Sequence, residues 1–186
     1  HWVGSKAAYK IGSLLDDIKL KESAQQLMQI TAEKVEACYD TKRGVYTQGI
    51  GEPMLDASCL QLITLNFLDP ASKKAADHLK VLEKELKTGN GLFFRYKSPD
   101  DFGVPETTFL LCAFWYVEAL ACVGRIDDAV EIFSSLTRYS NHLGLFSEDV
   151  GTDGSQWGNF PQAYSHVGLI NAAFRIAKKL DQPLFY

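Results

Sequence analysis

One glutamate in this 186-residue chain has neighbours that force it into a fixed position. Glu148 ends the phrase Gly144-Leu145-Phe146-Ser147-Glu148-Asp149, ahead of the glycine-rich stretch Gly154-Ser155-Gln156-Trp157-Gly158-Asn159-Phe160-Pro161-Gln162. Ordinary connections between helices are shorter and more polar. Leu145 and Phe146 need burial, so the loop must lie folded against the body, and Glu148 is then held in place as a working acid or base would be. Trp157, in a loop of glycines, can offer its ring face to a ligand or pack into the core. Asp149, Asp153 and Glu148 lack the intervals of a calcium loop, and no cofactor or metal is expected.

The same phrase occurs twice more. Gly44-Val45-Tyr46-Thr47-Gln48 and Gly91-Leu92-Phe93-Phe94-Arg95 share the order glycine, aliphatic, aromatic, any residue, polar residue, and the three glycines are 47 and 53 residues apart. Each copy follows an amphipathic helical pattern and precedes an apolar one. A repeat of this length holding two helices marks a helical solenoid or toroid, in which no unit buries its apolar face alone. Gln48, Arg95 and Glu148 occupy equivalent positions, so they are expected to face a common depression. Arg95 can bind a substrate hydroxyl or orient a carboxylate through its guanidinium fork, or simply pair with Asp100 or Asp101 on the surface.

The elements that must position these corners are helical in pattern. An apolar stripe from Trp2 to Ile18 predicts a first helix over residues 1–19, which starts without a capping residue and so reads as cut from something longer. An outer helix is expected over 22–39. Leu55 to Leu68 is apolar all round and reads as an inner helix, with Asp56 near its start as either a cap or a pocket-rim acid. Asp69-Pro70 opens an outer helix over 70–88. Glu106 opens the next inner helix, 107–123, and an outer helix follows over 126–140. The last helix runs from Pro161 to Leu180, with Tyr164, Val167, Ile170, Ala173, Phe174 and Ala177 as its core side.

A net charge of −4 with mixed signs carries no nucleic-acid footprint. No apolar run is long enough to span a membrane and no leader is visible, so no membrane partner is expected and the chain reads as soluble and cytoplasmic. Cys38, Cys59, Cys112 and Cys122 form no CxxC pair and read as small buried hydrophobes.

Several of these segments, in order and spacing, resemble glycoside hydrolase family 15, the glucoamylase and bacterial trehalase-like enzymes. They are Thr108-Phe-Leu-Leu-Cys-Ala-Phe-Trp115, Gly124-Arg125-Ile126-Asp127-Asp128-Ala129, Gly144-Leu-Phe-Ser-Glu-Asp149 and Gly158-Asn-Phe-Pro-Gln-Ala-Tyr-Ser-His166-Val-Gly-Leu-Ile-Asn-Ala-Ala173. The likeness is strongest over residues 91–180 and implies that the chain is the carboxy-terminal part of an all-α (α/α)6 toroid. It implies hydrolysis of an α-glucoside or oligosaccharide with inversion, Glu148 matching the family's general base and Arg95 an arginine that contacts the sugar. Glu106 and Gln48 fall at the pocket rim. The family's general acid lies upstream of the residues resembling 2–18, so the isolated chain is expected to be inactive.

About seven helices would form an open arc exposing inner-helix surface. That predicts either dimerisation through this surface or dependence on an upstream part, and a monodisperse monomer in size-exclusion chromatography at high concentration counts against both. The reading from another class is a helical-repeat module that binds a carbohydrate or protein partner without turnover. A third, a sugar epimerase on a similar toroid, would use His142 or His166.

Overall fold

The computed structural model describes residues 1–101 and 103–181. Among them, seven α-helices follow one another: α1 (Trp2–Leu14), α2 (Ile18–Glu36), α3 (Gln61–Thr64), α4 (Lys73–Leu86), α5 (Leu110–Cys122), α6 (Ile126–Leu136) and α7 (Ala163–Lys179). Short strands lie between them, β1 (Tyr39–Asp40) antiparallel to β2 (Val45–Tyr46), and β3 (Thr107–Phe109), β4 (Asp149–Gly151) and β5 (Gln156–Trp157) in one antiparallel sheet.

Twelve of the thirteen residues of α5 are buried, Trp115 being the exception. A helix apolar on every side has no face to give to solvent, and α5 is accordingly packed among α3, α6 and α7. The amphipathic α4 and α6 lie outside it, burying Leu79, Leu82 and Leu86 from one and Ala129 and Leu136 from the other. At the first hairpin α2 packs on α1, and α1 joins the rest through Trp2, whose ring meets Phe67 edge-on at 5.2 Å. Inner elements α1, α3, α5 and α7 thus alternate with outer α2, α4 and α6, an arc of an α/α toroid. The core around α5 includes Cys59, Cys112 and Cys122, all buried free thiols, while Cys38 is half-buried.

Local chemistry moves several expected boundaries. Asp17 caps α2 through Leu20 N and Asp16 adopts a left-handed φ of 53°, so α1 ends at Leu14 and α2 starts at Ile18. Ser72, rather than Pro70, caps α4, its side chain accepting from Ala75 N. The expected long inner helix from Leu55 is a 3-10 turn over Ala57–Leu60 running into α3. It stops where Asn66 takes a φ of 57°. Residues 107–109, expected to open an inner helix, are a strand instead. Two threonines and a phenylalanine suit an extended backbone, and β4, some forty residues on, supplies the partner.

The largest correction concerns α7. Its buried residues are Ser165, Gly168, Ala172 and Ile176, while Tyr164, Val167, Ile170 and Phe174 are 41–61% exposed. A Cβ at Gly168 would stand 3.0 Å from both Leu111 Cδ1 and Phe114 Cβ. The bulky side chains of α5 fill the interface, so α7 presents its small residues there and its large apolar stripe faces outward. Gly168→Leu is therefore expected to destabilise the chain by about 1–3 kcal/mol through overpacking. Val167→Ser should change stability by no more than about 0.5 kcal/mol. Urea denaturation of the two variants checks this, and the reverse order would restore the face read from periodicity.

Candidate active site

The three repeated corners are built alike. Gly44, Gly91 and Gly144 have φ of 72°, 87° and 76°, the left-handed region that a side chain disfavours. Each amide closes a turn, donating to the carbonyl of Asp40, Thr88 or Asn141. Beyond each glycine the aromatic residue is buried: Tyr46 and Phe93 completely, and Phe146 to 2% exposure.

Backbone hydrogen bonds place the corners along one end of the inner elements. In the first, Thr47 O accepts from the Cys59 thiol at 3.8 Å. In the second, Arg95 O accepts from Ala57 N at 2.7 Å and Phe93 O from Phe109 N at 3.2 Å. In the third, Glu148 O accepts from Leu110 N at 3.0 Å, and Ser147 O accepts from the Ser165 hydroxyl at 2.8 Å. Each corner is thus tied to the start of an inner element, by backbone N–H groups that need partners there at the second and third corners and by a thiol or hydroxyl at the first and third.

Two histidines repeat a second device. Tyr46 N donates to His78 Nδ1 at 3.2 Å, and Phe146 N donates to His166 Nε2 at 3.4 Å. In both cases the other ring nitrogen donates to a carbonyl, Cys59 O at 3.0 Å or Gln162 O at 2.7 Å, and each histidine ring meets its corner's aromatic ring edge-on at 5.5 Å, His78 with Tyr46 and His166 with Phe146. His78 is fully buried, and burial pushes its pKa down to about 4. Both histidines hold corners in place, which leaves the epimerase reading without His166; His142 is exposed beside the third corner.

Glu148 is half-buried and its side chain is clamped. Its Oε2 accepts from Asn159 N at 3.0 Å and Asn159 Nδ2 at 2.8 Å, while Glu148 N donates to Asn159 O at 3.0 Å. Gly158 lies against the same carboxylate: its φ is 77°, and a Cβ there would stand 2.9 Å from both Glu148 Cβ and Glu148 Oε2. Among the described residues no hydrogen bond reaches Oε1. One oxygen is held and the other is open to a substrate or water.

A depression of about 560 Å³ is lined by Arg95, Tyr96, Glu106, Thr107, Phe109 and Asp149, among others; Asp149, the residue after Glu148, lines it and Glu148 itself does not. Two of the residues singled out from sequence, Arg95 and Glu106, meet there. Arg95 Nε lies 3.3 Å from Asp56 Oδ2, so the aspartate is both partner to the arginine and, through Oδ1, cap of the 3-10 turn at Ser58 N. Asp100 receives the Tyr96 hydroxyl at 2.7 Å. Gln48 is exposed at the first corner and does not line the depression. Trp157 stands outside it too, 59% exposed in β5, with Nε1 donating to Ser155 Oγ at 2.7 Å.

Asp149 is the lining residue that sequence reasoning missed. Burial pushes its carboxyl above the usual range, the Thr107 hydroxyl donating at 2.6 Å works against that, and the charge of Glu148 adds to it. Its position next to Glu148 was the available signal. Pairing of β3 with β4 brings Asp149 to the Thr107 hydroxyl in the wall of the depression, a contact between segments some forty residues apart. No helix among the described residues is long and apolar enough to cross a membrane.

The arrangement offers a held carboxylate with one oxygen free of hydrogen bonds among the described residues and, in the wall of the neighbouring hollow, a guanidinium oriented by an aspartate. Comparison with known proteins places it. The sequence model for glycosyl hydrolases family 15 matches residues 2–174. A trehalase of Thermoplasma volcanium is 38% identical over 157 residues, 84% of this chain and 25% of that protein. A trehalase of Mycolicibacterium smegmatis is 33% identical over 194 residues, 98% of this chain and 29% of that protein. Among solved structures, a bacterial glucoamylase complexed with acarbose superposes with a TM-score of 0.77 at 16% identity, covering 97% of this chain and 32% of the other. At that identity the likeness shows the fold alone. The chain spans about a quarter of the length of the trehalases it matches.

Proposed function

The chain belongs to glycosyl hydrolases family 15, and we propose that the full-length protein hydrolyses an α-glucoside, trehalose first among candidates, with Glu148 as general base. The observation that carries this reading is the state of the carboxylate: one oxygen fixed by Asn159, the other without a hydrogen bond among the described residues, one residue before Asp149, which lines a polar hollow. In an inverting mechanism that free oxygen takes a proton from water as the water attacks the anomeric carbon. The leaving oxygen is protonated by a second carboxyl about 6.5–9.5 Å away, which the resemblance puts outside these 186 residues.

Arg95 and Glu106 are proposed to contact sugar hydroxyls. The Asp56 carboxylate holds the guanidinium while leaving it 54% exposed, in the way a binding arginine must be held to act without losing rotamer entropy at each encounter. Preference for trehalose rests on the relatives at 33–38% identity, each named as a trehalase.

The test is glucose release by the full-length protein from trehalose, maltose and maltooligosaccharides. Trehalose is expected to be cleaved fastest; release from maltose alone would move the reading to a glucoamylase-type substrate, and release from none would end it. Within that assay Arg95→Lys should raise KM about tenfold or more, since a point charge cannot replace the bidentate fork, with far less effect on kcat. An unchanged KM would remove Arg95 from the sugar site.

A further inference from the structure

We propose that Asn159 is a positioning residue for Glu148, selecting Oε1 as the oxygen that accepts the proton and holding the carboxylate in alignment. The inference rests on the reading of Glu148 as the base and adds to it a second residue and a choice between two chemically equivalent oxygens.

A free glutamate has two oxygens of equal basicity and three side-chain torsions, so most of its conformers do not point a lone pair at a bound water. Here residues 158 and 159 remove that freedom. The Asn159 backbone N–H and side-chain amide both end on Oε2, and Asn159 O returns a bond from Glu148 N, so a single residue grips both the main chain and the side chain of Glu148. Gly158 closes against the carboxylate at a distance that no Cβ could share. Two donors on Oε2 draw charge density to it and occupy its lone pairs, which leaves Oε1 as the acceptor.

The step balances simply. Water gives its proton to Glu148 Oε1 while its oxygen bonds to the anomeric carbon; the bond to the leaving oxygen breaks, and that oxygen takes a proton from the general acid. The Asn159 bonds hold the carboxylate in place for that step. Their backbone half survives any substitution at this position, whereas the Nδ2 half depends on the side chain. Adjacency in sequence does not predict this contact, since eleven residues separate the partners, and the β4–β5 hairpin brings them together.

The experiment uses the full-length protein and the substrate it cleaves, with Asn159→Ala and the size-matched Asn159→Asp. Loss of the Nδ2 donor is expected to lower kcat about 10- to 100-fold, the scale of a small misplacement of a reacting group, with KM within about twofold of wild type. The fall in kcat should persist after normalisation to the folded fraction, a result that a merely structural residue would not produce. Asn159→Asp puts a like charge against Glu148 and should lose more at neutral pH than Asn159→Ala. An unchanged kcat in both variants would overturn the proposal, as would a fall in kcat that only follows a lost folded fraction. Glu148→Gln run in parallel separates the two readings. If it stays active, the base assignment fails. If it is inactive while Asn159→Ala behaves as wild type, only the clamp fails.

Discussion

Glu148→Gln in the full-length protein should lower kcat for the α-glucoside by about 10²- to 10⁴-fold, the range that a positioned general base supplies, and leave the fold intact. The substitution is close to isosteric. A glutamine carbonyl at the Oε2 position would still accept both Asn159 donors, so the loop from Asp149 to Gln162 has no reason to move, and Gly158 meets the same volume. What disappears is the ability of the other oxygen to take a proton. KM should change little, because the substituted group acts on water rather than on the sugar. Circular dichroism and the melting temperature establish that the protein is folded; a folded Glu148→Gln enzyme at near wild-type rate would remove Glu148 from the mechanism.

Acid should destabilise the chain in a window set by His78. Its pKa lies at about 4 in the folded chain against about 6.5 in an unfolded one. Because the folded value is depressed, the unfolded chain binds more protons between those limits, so the contribution is fully present above pH 6.5 and is lost as pH falls toward 4. Two and a half pKa units correspond to about 3 kcal/mol. The physical cause is plain: a protonated ring would be a buried charge, and it could no longer accept from Tyr46 N, so the first corner would lose its tie to the 3-10 turn. Lys74 lies over the Tyr39 and Tyr46 rings beside it and opposes a second positive charge.

The carboxylates lose their contribution lower on the scale. Glu83 is opposed by burial, but hydrogen bonds from Arg125 and Tyr116 outweigh that and hold it at about 2. Its contribution disappears only as pH falls from about 4.5 toward 2. Urea denaturation at pH 7, 5.5 and 4.5 should therefore show a steep fall in the wild type and a shallow one in His78→Gln, whatever the lower absolute stability of the variant. An equally steep fall in both would mean that other groups govern the acid limb.

What could be read from the residues alone follows the range of the interactions. The three corners were legible because their signal is local: a glycine for the left-handed turn, an apolar pair for burial and a polar residue after them. The helix Leu110–Cys122 was legible because an all-apolar segment has only one place to go. The face of α7 was not, since periodicity finds the stripe Tyr164, Val167, Ile170 and Phe174 without saying what covers it, and the closeness of α5 at Gly168 reversed the assignment. The strand Thr107–Phe109, the pairing of Arg95 with Asp56 and the grip of Asn159 on Glu148 all join residues from different corners or hairpin arms. Composition and spacing cannot register such contacts, and they are what turn a row of polar residues into a site.

The account stands on Glu148 activating water rather than attacking the sugar itself. Proton NMR of the first glucose released from an α-glucoside by the full-length protein separates the two directly. Attack by water from the face opposite the leaving oxygen gives β-glucose, which then mutarotates, and that is the predicted result. Initial release of α-glucose from both halves of trehalose, or from the non-reducing end of maltose, would mean retention through a glycosyl-enzyme and would contradict it.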